Sequence, residues 1–337
     1  MKTGKKILLL VGILLLAFGL TVLQIAHHRG LSFSAGVVNF SRVSGLNYNQ
    51  QGYTVLAGGE ESFAAGEVSA LDLNWISGSV SVERYDGREL VVRESCSRVL
   101  TEDETARFRL HGGTLSILPC ANNARTLPEK QLTVLVPKGL TLKTVESDAT
   151  SASVTVRALE VSGAIRLDSS SGSLHVEDCR CAALALNSSS GSRHILRTEV
   201  SGDAEANGTS GSFNAESLRC ASLDVSSTSG SHNISELRCD TLRLTSSSGS
   251  KKVSGLDCRA VEVAFTSGSV RLEFAAAPGS VKVAGTSGSV TLCFPKGTGI
   301  DLDYDRTSGS LHGDPIRGDI PVEVETTSGS LTIRYEG

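Results

Sequence analysis

The chain has 337 residues, with 35 glycines, one methionine, one tryptophan, 4% aromatic residues and a formal net charge of −4. So few large side chains do not suit a thick globular core, and they fit a thin, many-layered one filled by Val, Leu, Ile, Ala and Cys. With no long basic run and a weak negative charge, the chain lacks the surface that tracks phosphates, so nucleic acid is not an expected partner.

In chain order, Met1–Lys6 carries Lys2, Lys5 and Lys6, and Ile7–Ala26 follows with only Thr21 and Gln24 as polar members. As a helix, 20 residues span about 30 Å, the thickness of a bilayer core. The preceding lysines favour a cytoplasmic N-terminus. The expectation is a cytoplasmic tail at 1–6, a single-pass signal-anchor in the cytoplasmic membrane at 7–26 and a polar tether at 27–66, with the bulk of the chain extracytoplasmic. A cleaved signal peptide is the competing reading, and it places the bulk of the chain on the same side.

From Leu71 and Leu73 through Ser77-Gly78-Ser79 to Val80 and Val82, short apolar alternations surround a Ser-Gly-Ser tripeptide. The pattern then loosens. Thr101–Arg107 suggests a short helical turn, and Leu132, Val134 and Val136 lead into Pro137-Lys138-Gly139. Residues 67–147 are therefore expected to form an irregular β capping end.

The remainder, 148–337, is periodic. Ser-Gly-Ser recurs with its glycine at Gly172, Gly191, Gly211, Gly230, Gly249, Gly268, Gly288, Gly309 and Gly329. A repeat of about 20 residues marks stacked structural units. Within one unit Leu242 and Leu244 alternate with Arg243 and Thr245, a period-2 strand with one buried face. Two short strands cannot offset the entropy of ordering 20 residues unless each layer bonds to its neighbours and shares a continuous interior. The fold class is thus all-β, a parallel β-solenoid. Each Ser-Gly-Ser glycine belongs at a corner, where the chain needs positive φ or close backbone approach. The Ser or Thr before each tripeptide suggests a hydroxyl ladder along that edge.

Cys181, Cys220, Cys239 and Cys258 fall in one column with Val200 between the first two, and are expected to be interior thiols rather than zinc ligands. Cys96 and Cys120 lie off that column and are the better candidates for a bridge. His175 and His194 share an outward column with Asn214, Asn233, Lys252, Arg271 and Thr291. Asn39, Asn187, Asn207 and Asn233 fit the N-glycosylation pattern. Asp301–Gly337 carries eight acidic residues and three arginines, a local net of −5. Such an end discourages strand addition. The alternating Asp301, Asp303 and Asp305 do not by themselves enclose a calcium ion.

No Gly-x-Ser-x-Gly elbow, phosphate-cradling loop or calcium-binding nonapeptide is present, and the acidic residues are scattered. Neither a catalytic, cofactor nor metal site is expected, and the chain does not read as an enzyme.

The apolar N-terminal segment, Leu71–Val82, the Val136–Gly139 turn and the Ser/Thr-Ser-Gly-Ser ladder together resemble the bacterial putative-adhesin family. That family is a β-strand repeat-containing domain of unknown function that includes LiaG-like proteins of Gram-positive envelope-stress operons. The resemblance covers roughly residues 64–337 and carries no catalytic residues across. The anchor and the long repetitive polar surface without a catalytic cluster point to a non-enzymatic, membrane-tethered solenoid acting by adhesin-like surface contact or in an envelope-stress or scaffold role, with an envelope protein or glycan as partner. A self-assembling structural element, stacked end to end, is the alternative, and a polysaccharide-acting β-helix enzyme is a minor one.

Overall fold

The computed structural model describes residues 48–124 and 127–336. The expected tail, membrane segment and the first part of the tether lie outside the described residues. No helix among the described residues is long and apolar enough to cross a membrane.

The described chain is all β apart from two 3₁₀ turns, Ala57–Gly59 and Ala65–Glu67. From Thr144 to Phe294 it winds as a parallel solenoid in which each turn of about 20 residues pairs, in register, with the next. Alternation dictates which side chains enter. Leu167, Leu186, Ala206, Val225, Leu244, Val263 and Val283 form one inward column. Val176, Ile195, Ala215, Ile234, Val253, Leu272 and Leu292 form the facing one. These residues are all buried. Each column is continuous because a one-residue slip would turn every apolar side chain to solvent. Arginine–carboxylate pairs reinforce the register outside, as in Arg238–Asp257 at 2.8 Å and Arg243–Glu262 at 3.0 Å. Exposed pairs of this kind add little stability.

Two kinds of corner turn the chain. At the Ser-Gly-Ser corner, backbone bonds run from turn to turn, with Ser190 N donating to Ser170 O at 2.9 Å and Ser229 N to Thr209 O at 2.8 Å. A Cβ on Gly230 would overlap the carbonyl oxygen of Gly211, and one on Gly191 would overlap that of Gly172. Gly230 has φ of 129°, but Gly172, Gly191 and Gly329 do not lie at positive φ. Close approach is therefore what the whole column has in common. The second corner is made by a column of left-handed residues, Ala158, Asp178, Arg197, Ser217, Glu236 and Gly255, with φ between 44° and 64°. All but one carry a side chain, which costs on the order of 1 kcal/mol each.

The serial order expected from the repeat fails at both ends. Ile320–Ser328 pairs with Ser280–Ser287 on one side and Ile300–Ser308 on the other, so the last turn in sequence is the penultimate layer. Gly329 stacks on Gly288, and Gly309 on Gly329. At the other end, Gly78–Tyr85 lies between Lys130–Pro137 and Ser153–Arg157. Each displaced turn offers the same two apolar strands and glycine corner, so the stack accepts it in either order.

The two ends are finished differently. Arg107–His111 covers Thr114–Leu118 and Glu89–Cys96 covers Lys130–Pro137, both antiparallel, and Glu60–Ala64 adds outside the latter. Part of the expected tether, residues 48–66, thus forms strands in this cap. Beneath it Lys130 Nζ is buried, donating to Glu94 Oε1 and Glu104 O, each at 2.6 Å, and to Pro119 O. Thr101–Thr105 makes one turn, closed by Thr105 N donating to Thr101 O at 3.0 Å, and Arg107 already belongs to a strand. At the C-terminal end no described strand covers Ile300–Ser308.

Replacing Gly230 with Val should destabilise the protein by more than about 1 kcal/mol, through overlap and a forbidden φ. Gly66→Ala, where nothing lies within 4 Å, should change stability by less than about 0.5 kcal/mol. Urea unfolding of the two variants checks the pair, and equal stabilities would contradict the corner geometry.

Candidate functional site: an outward ladder of imidazole and amide groups

In the second strand of each turn, inward apolar residues alternate with outward polar ones, and the register stacks the outward positions. His175 aligns with His194, Asn214, Asn233 and Lys252 in turn. They line a groove of about 460 Å³, flanked by Glu177, Glu216, Ser235 and Ser254. The imidazoles of His175 and His194 lie parallel, 4.5 Å apart. Asn233 Nδ2 donates to Asn214 Oδ1 at 3.1 Å. Glu177 is engaged at the rim by Arg157 at 3.0 Å and by Arg197 at 2.5 Å, and Arg197 also reaches Asp178.

Burial lowers the His175 pKa, opposed by Glu177; burial and the neighbouring His175 lower that of His194. Both rings are neutral at neutral pH, each with a donor and an acceptor nitrogen. The groove therefore presents neutral hydrogen-bonding groups repeated at the turn spacing, with Lys252 at one end and the Glu177 and Glu216 side chains at its flanks. Two stacked histidines do not complete a metal site, and no group of three or more His, Cys, Asp or Glu among the described residues is placed to hold an ion.

A second ladder lies on the other strand, where Asn187 donates to Asp168 at 2.7 Å, Asn207 to Asn187 at 3.2 Å and Ser226 to Asn207 at 2.8 Å. Two of the glycosylation-pattern asparagines are thus in this chain of bonds, Asn233 is in the groove, and Asn39 lies outside the described residues. At the corner, hydroxyls mostly reach carbonyl groups of the turn below, as from Ser210 to Ser189 O at 3.3 Å and Ser267 to Ser247 O at 3.4 Å.

Cys181, Cys220, Cys239 and Cys258 are buried and unbridged, in register with Val200. Cys239 and Cys258 Sγ approach to 3.0 Å. Burial pushes the Cys181 thiol up to about 12. Cys96 and Cys120, the expected bridge candidates, are both free; Cys96 Sγ is directed at Glu129 O, 3.7 Å away. Asp301, Asp303 and Asp305 lie exposed on the outermost C-terminal strand, aligned with Pro321, Glu323 and Glu325.

One feature escaped the sequence reading. The first residue after the tripeptide points inward in seven successive turns, forming the column Leu174, Arg193, Phe213, His232, Lys251, Val270 and Val290. Arg193 and His232 are fully buried and Lys251 is 1% exposed. Arg193 Nη2 donates to Gly211 O and Lys251 Nζ to Gly249 O, each at 3.0 Å, and His232 Nε2 meets Ser227 Oγ at 2.8 Å. Gly208 leaves room for the guanidinium, since a Cβ there would overlap Arg193 Nη1. Burial brings Lys251 down to about 8; burial, then Lys251 and Arg193, bring His232 down to about 4. The signal was available as a break in an otherwise apolar position fixed relative to each glycine.

Residues 200–334, less than half of the chain, match the family model described as Toastrack DUF4097. No curated protein matches the chain. A solved structure of a "putative cell adhesion protein" from Clostridium sporogenes aligns over 82% of this chain and 98% of its own, at 11% identity and a TM-score of 0.20. A "putative adhesin" from Bacteroides fragilis aligns over 81% and 95%, at 11% identity and a TM-score of 0.34.

The buried imidazole predicts a pH response. An unfolded histidine binds its proton near pH 6.5, whereas folded His232 binds it only near 4. Stability should be complete above about pH 6.5 and fall as pH drops toward 4, by up to about 3 kcal/mol. His175 and His194 act in the same direction. His232→Leu, matching Leu174 in the same column, should flatten most of this slope in urea titrations run in dilute, halide-free buffer. An unchanged slope would contradict the buried neutral imidazole.

Proposed function

We propose that this chain is a non-enzymatic, adhesin-like contact module, held outside the cytoplasmic membrane by Ile7–Ala26, and that the groove over His175, His194, Asn214, Asn233 and Lys252 is its contact surface. The observation that carries this reading is the groove's composition. Neutral donors and acceptors repeat along the stack at about 4.8 Å, so an extended polymer lying along the axis meets similar groups at each turn. An uncharged or weakly acidic envelope glycan fits this surface, with its hydroxyls bonding to the imidazole and amide groups and any acidic substituent near Lys252. The partial match to the Toastrack DUF4097 family is compatible with this reading and supplies no activity of its own.

A second reading, self-association, draws on the unequal ends. Antiparallel strands cover the N-terminal end, so head-to-tail stacking meets the antiparallel cap strand Glu60–Ala64 there rather than a matching parallel turn. Ile300 is already bridged to Arg317, and residues 301–308 remain available to a second copy, but self-pairing would bring Asp301, Asp303 and Asp305 against their own counterparts, which opposes it. Sedimentation over a wide concentration range should show a monomer, or a weak pair at high salt; filaments would overturn the capped-end argument.

Co-sedimentation with insoluble envelope polysaccharide tests the groove. The wild type should pellet with the glycan, and His194→Ala/Asn214→Ala/Asn233→Ala should weaken binding about tenfold or more, since each lost hydrogen bond is worth about 1 kcal/mol. Melting temperature should barely change. Equal binding by the triple variant, or no glycan retained by the wild type, would sink the assignment.

A further inference from the structure

The structure assigns a second, internal binding site: we propose that a small monovalent inorganic anion of the chloride class is held inside the solenoid at His232 and Lys251, with Arg193, beyond Phe213 in the same column, adding to the positive field.

Elsewhere this chain neutralises a buried cation. Under the N-terminal cap, Lys130 is neutralised by Glu94 and bonded to two carbonyl groups. Glu94 and Glu104 are the buried acidic side chains among the described residues, and both are engaged there, Glu104 by Arg98 at 2.6 Å. None of the described buried residues supplies a carboxylate to Arg193 or Lys251. Their known partners are the carbonyls of Gly211 and Gly249 and the ring of Phe265, 5.0 Å from Lys251 Nζ. These offset only part of the cost of withdrawing two positive charges from water.

The orphaned atoms are biased in the same direction. Arg193 Nε and Nη1, His232 Nδ1 and Ser246 Oγ are buried with no hydrogen-bond partner. The arginine nitrogens can only donate, and the serine and imidazole can donate here as well. Every element packed against His232 agrees: Phe213 and Lys251 flank it in the column, Ser227 meets its Nε2, and Arg193 acts on it electrostatically. A surplus of donors and positive charge calls for an acceptor carrying negative charge. The spacing of about 4.8 Å between turns suits a single atom-sized anion rather than a phosphate. Protonation of His232 would add a third positive charge, so affinity should rise as pH falls.

Thermal melting of the full chain in sodium chloride against sodium gluconate, at matched ionic strength, reads the site. Between 0 and ~200 mM chloride the wild type should gain at least about 2 °C over gluconate at pH 7, and more at pH 5. Arg193→Met/Lys251→Met should lose the chloride-specific gain at both pH values and, freed of uncompensated charge, should melt at or above the wild type in gluconate. Identical wild-type melting in the two salts at both pH values, or an undiminished gain in the double variant, overturns the proposal. Should the double variant not fold, wild-type crystals grown in sodium bromide decide: an anomalous peak within the interior beside His232 is expected, and ordered water alone at that position contradicts it.

Discussion

Everything in this molecule depends on how closely parallel turns approach at the Ser-Gly-Ser corner. The strand spacing is fixed by backbone hydrogen bonds, and at the corner the Gly191 backbone comes so near the Gly172 carbonyl that no Cβ fits between them. This explains why glycine recurs there even where φ is ordinary. It also explains why the neighbours are Ser and Thr, whose hydroxyls reach carbonyl groups of the turn below without widening the gap. Once the corner holds register, the aliphatic columns follow by alternation, and the outward polar positions stack without further design.

The functional consequence is repetition. An outward residue that recurs at each turn becomes a line of chemically similar groups, and His175 through Lys252 is such a line. Apart from Lys252, its groups are neutral and set on strands rather than on loops, so a ligand would meet a preorganised surface and little side-chain freedom would be lost on binding. The interior is used less uniformly. Polar and charged residues enter it where the corner leaves carbonyl groups within reach, and Arg193, His232 and Lys251 occupy that strip. Local energy is spent there without an evident gain in packing, the pattern expected of residues kept for something other than stability.

Much of the fold was legible in the sequence because its determinants are local and periodic. The spacing of Gly172 to Gly288 and the alternation around Leu242 and Leu244 specify turn length, parallel pairing and inward faces. The exchange of order at both ends was not legible. The turn at 300–312 and the turn at 320–335 offer equivalent strands and corners, so pattern alone does not say which lies next to Ser280–Ser287. The second corner was hidden for the opposite reason. Its left-handed positions are filled by Asp178, Arg197, Ser217 and Glu236, and only Gly255 carries the usual mark of positive φ. Of the site, the outward column of His175 and His194 could be placed from phase alone. The interior cations were passed over because basic residues in a Ser-rich corner read as solvated, although the position after each Ser-Gly-Ser is apolar in the turns around them.

Substitution of Gly191 by alanine tests the central constraint most directly, because Gly191 does not sit at positive φ and the neighbouring Gly172 carbonyl is the chief obstacle to a methyl group. If stacked turns set the corner, Gly191→Ala should lower the urea midpoint well below that of the wild type, although it lacks the positive-φ strain of an alanine at Gly230. A Gly191→Ala protein as stable as the wild type would show that the turns do not meet there, and the account of the solenoid would fail with it.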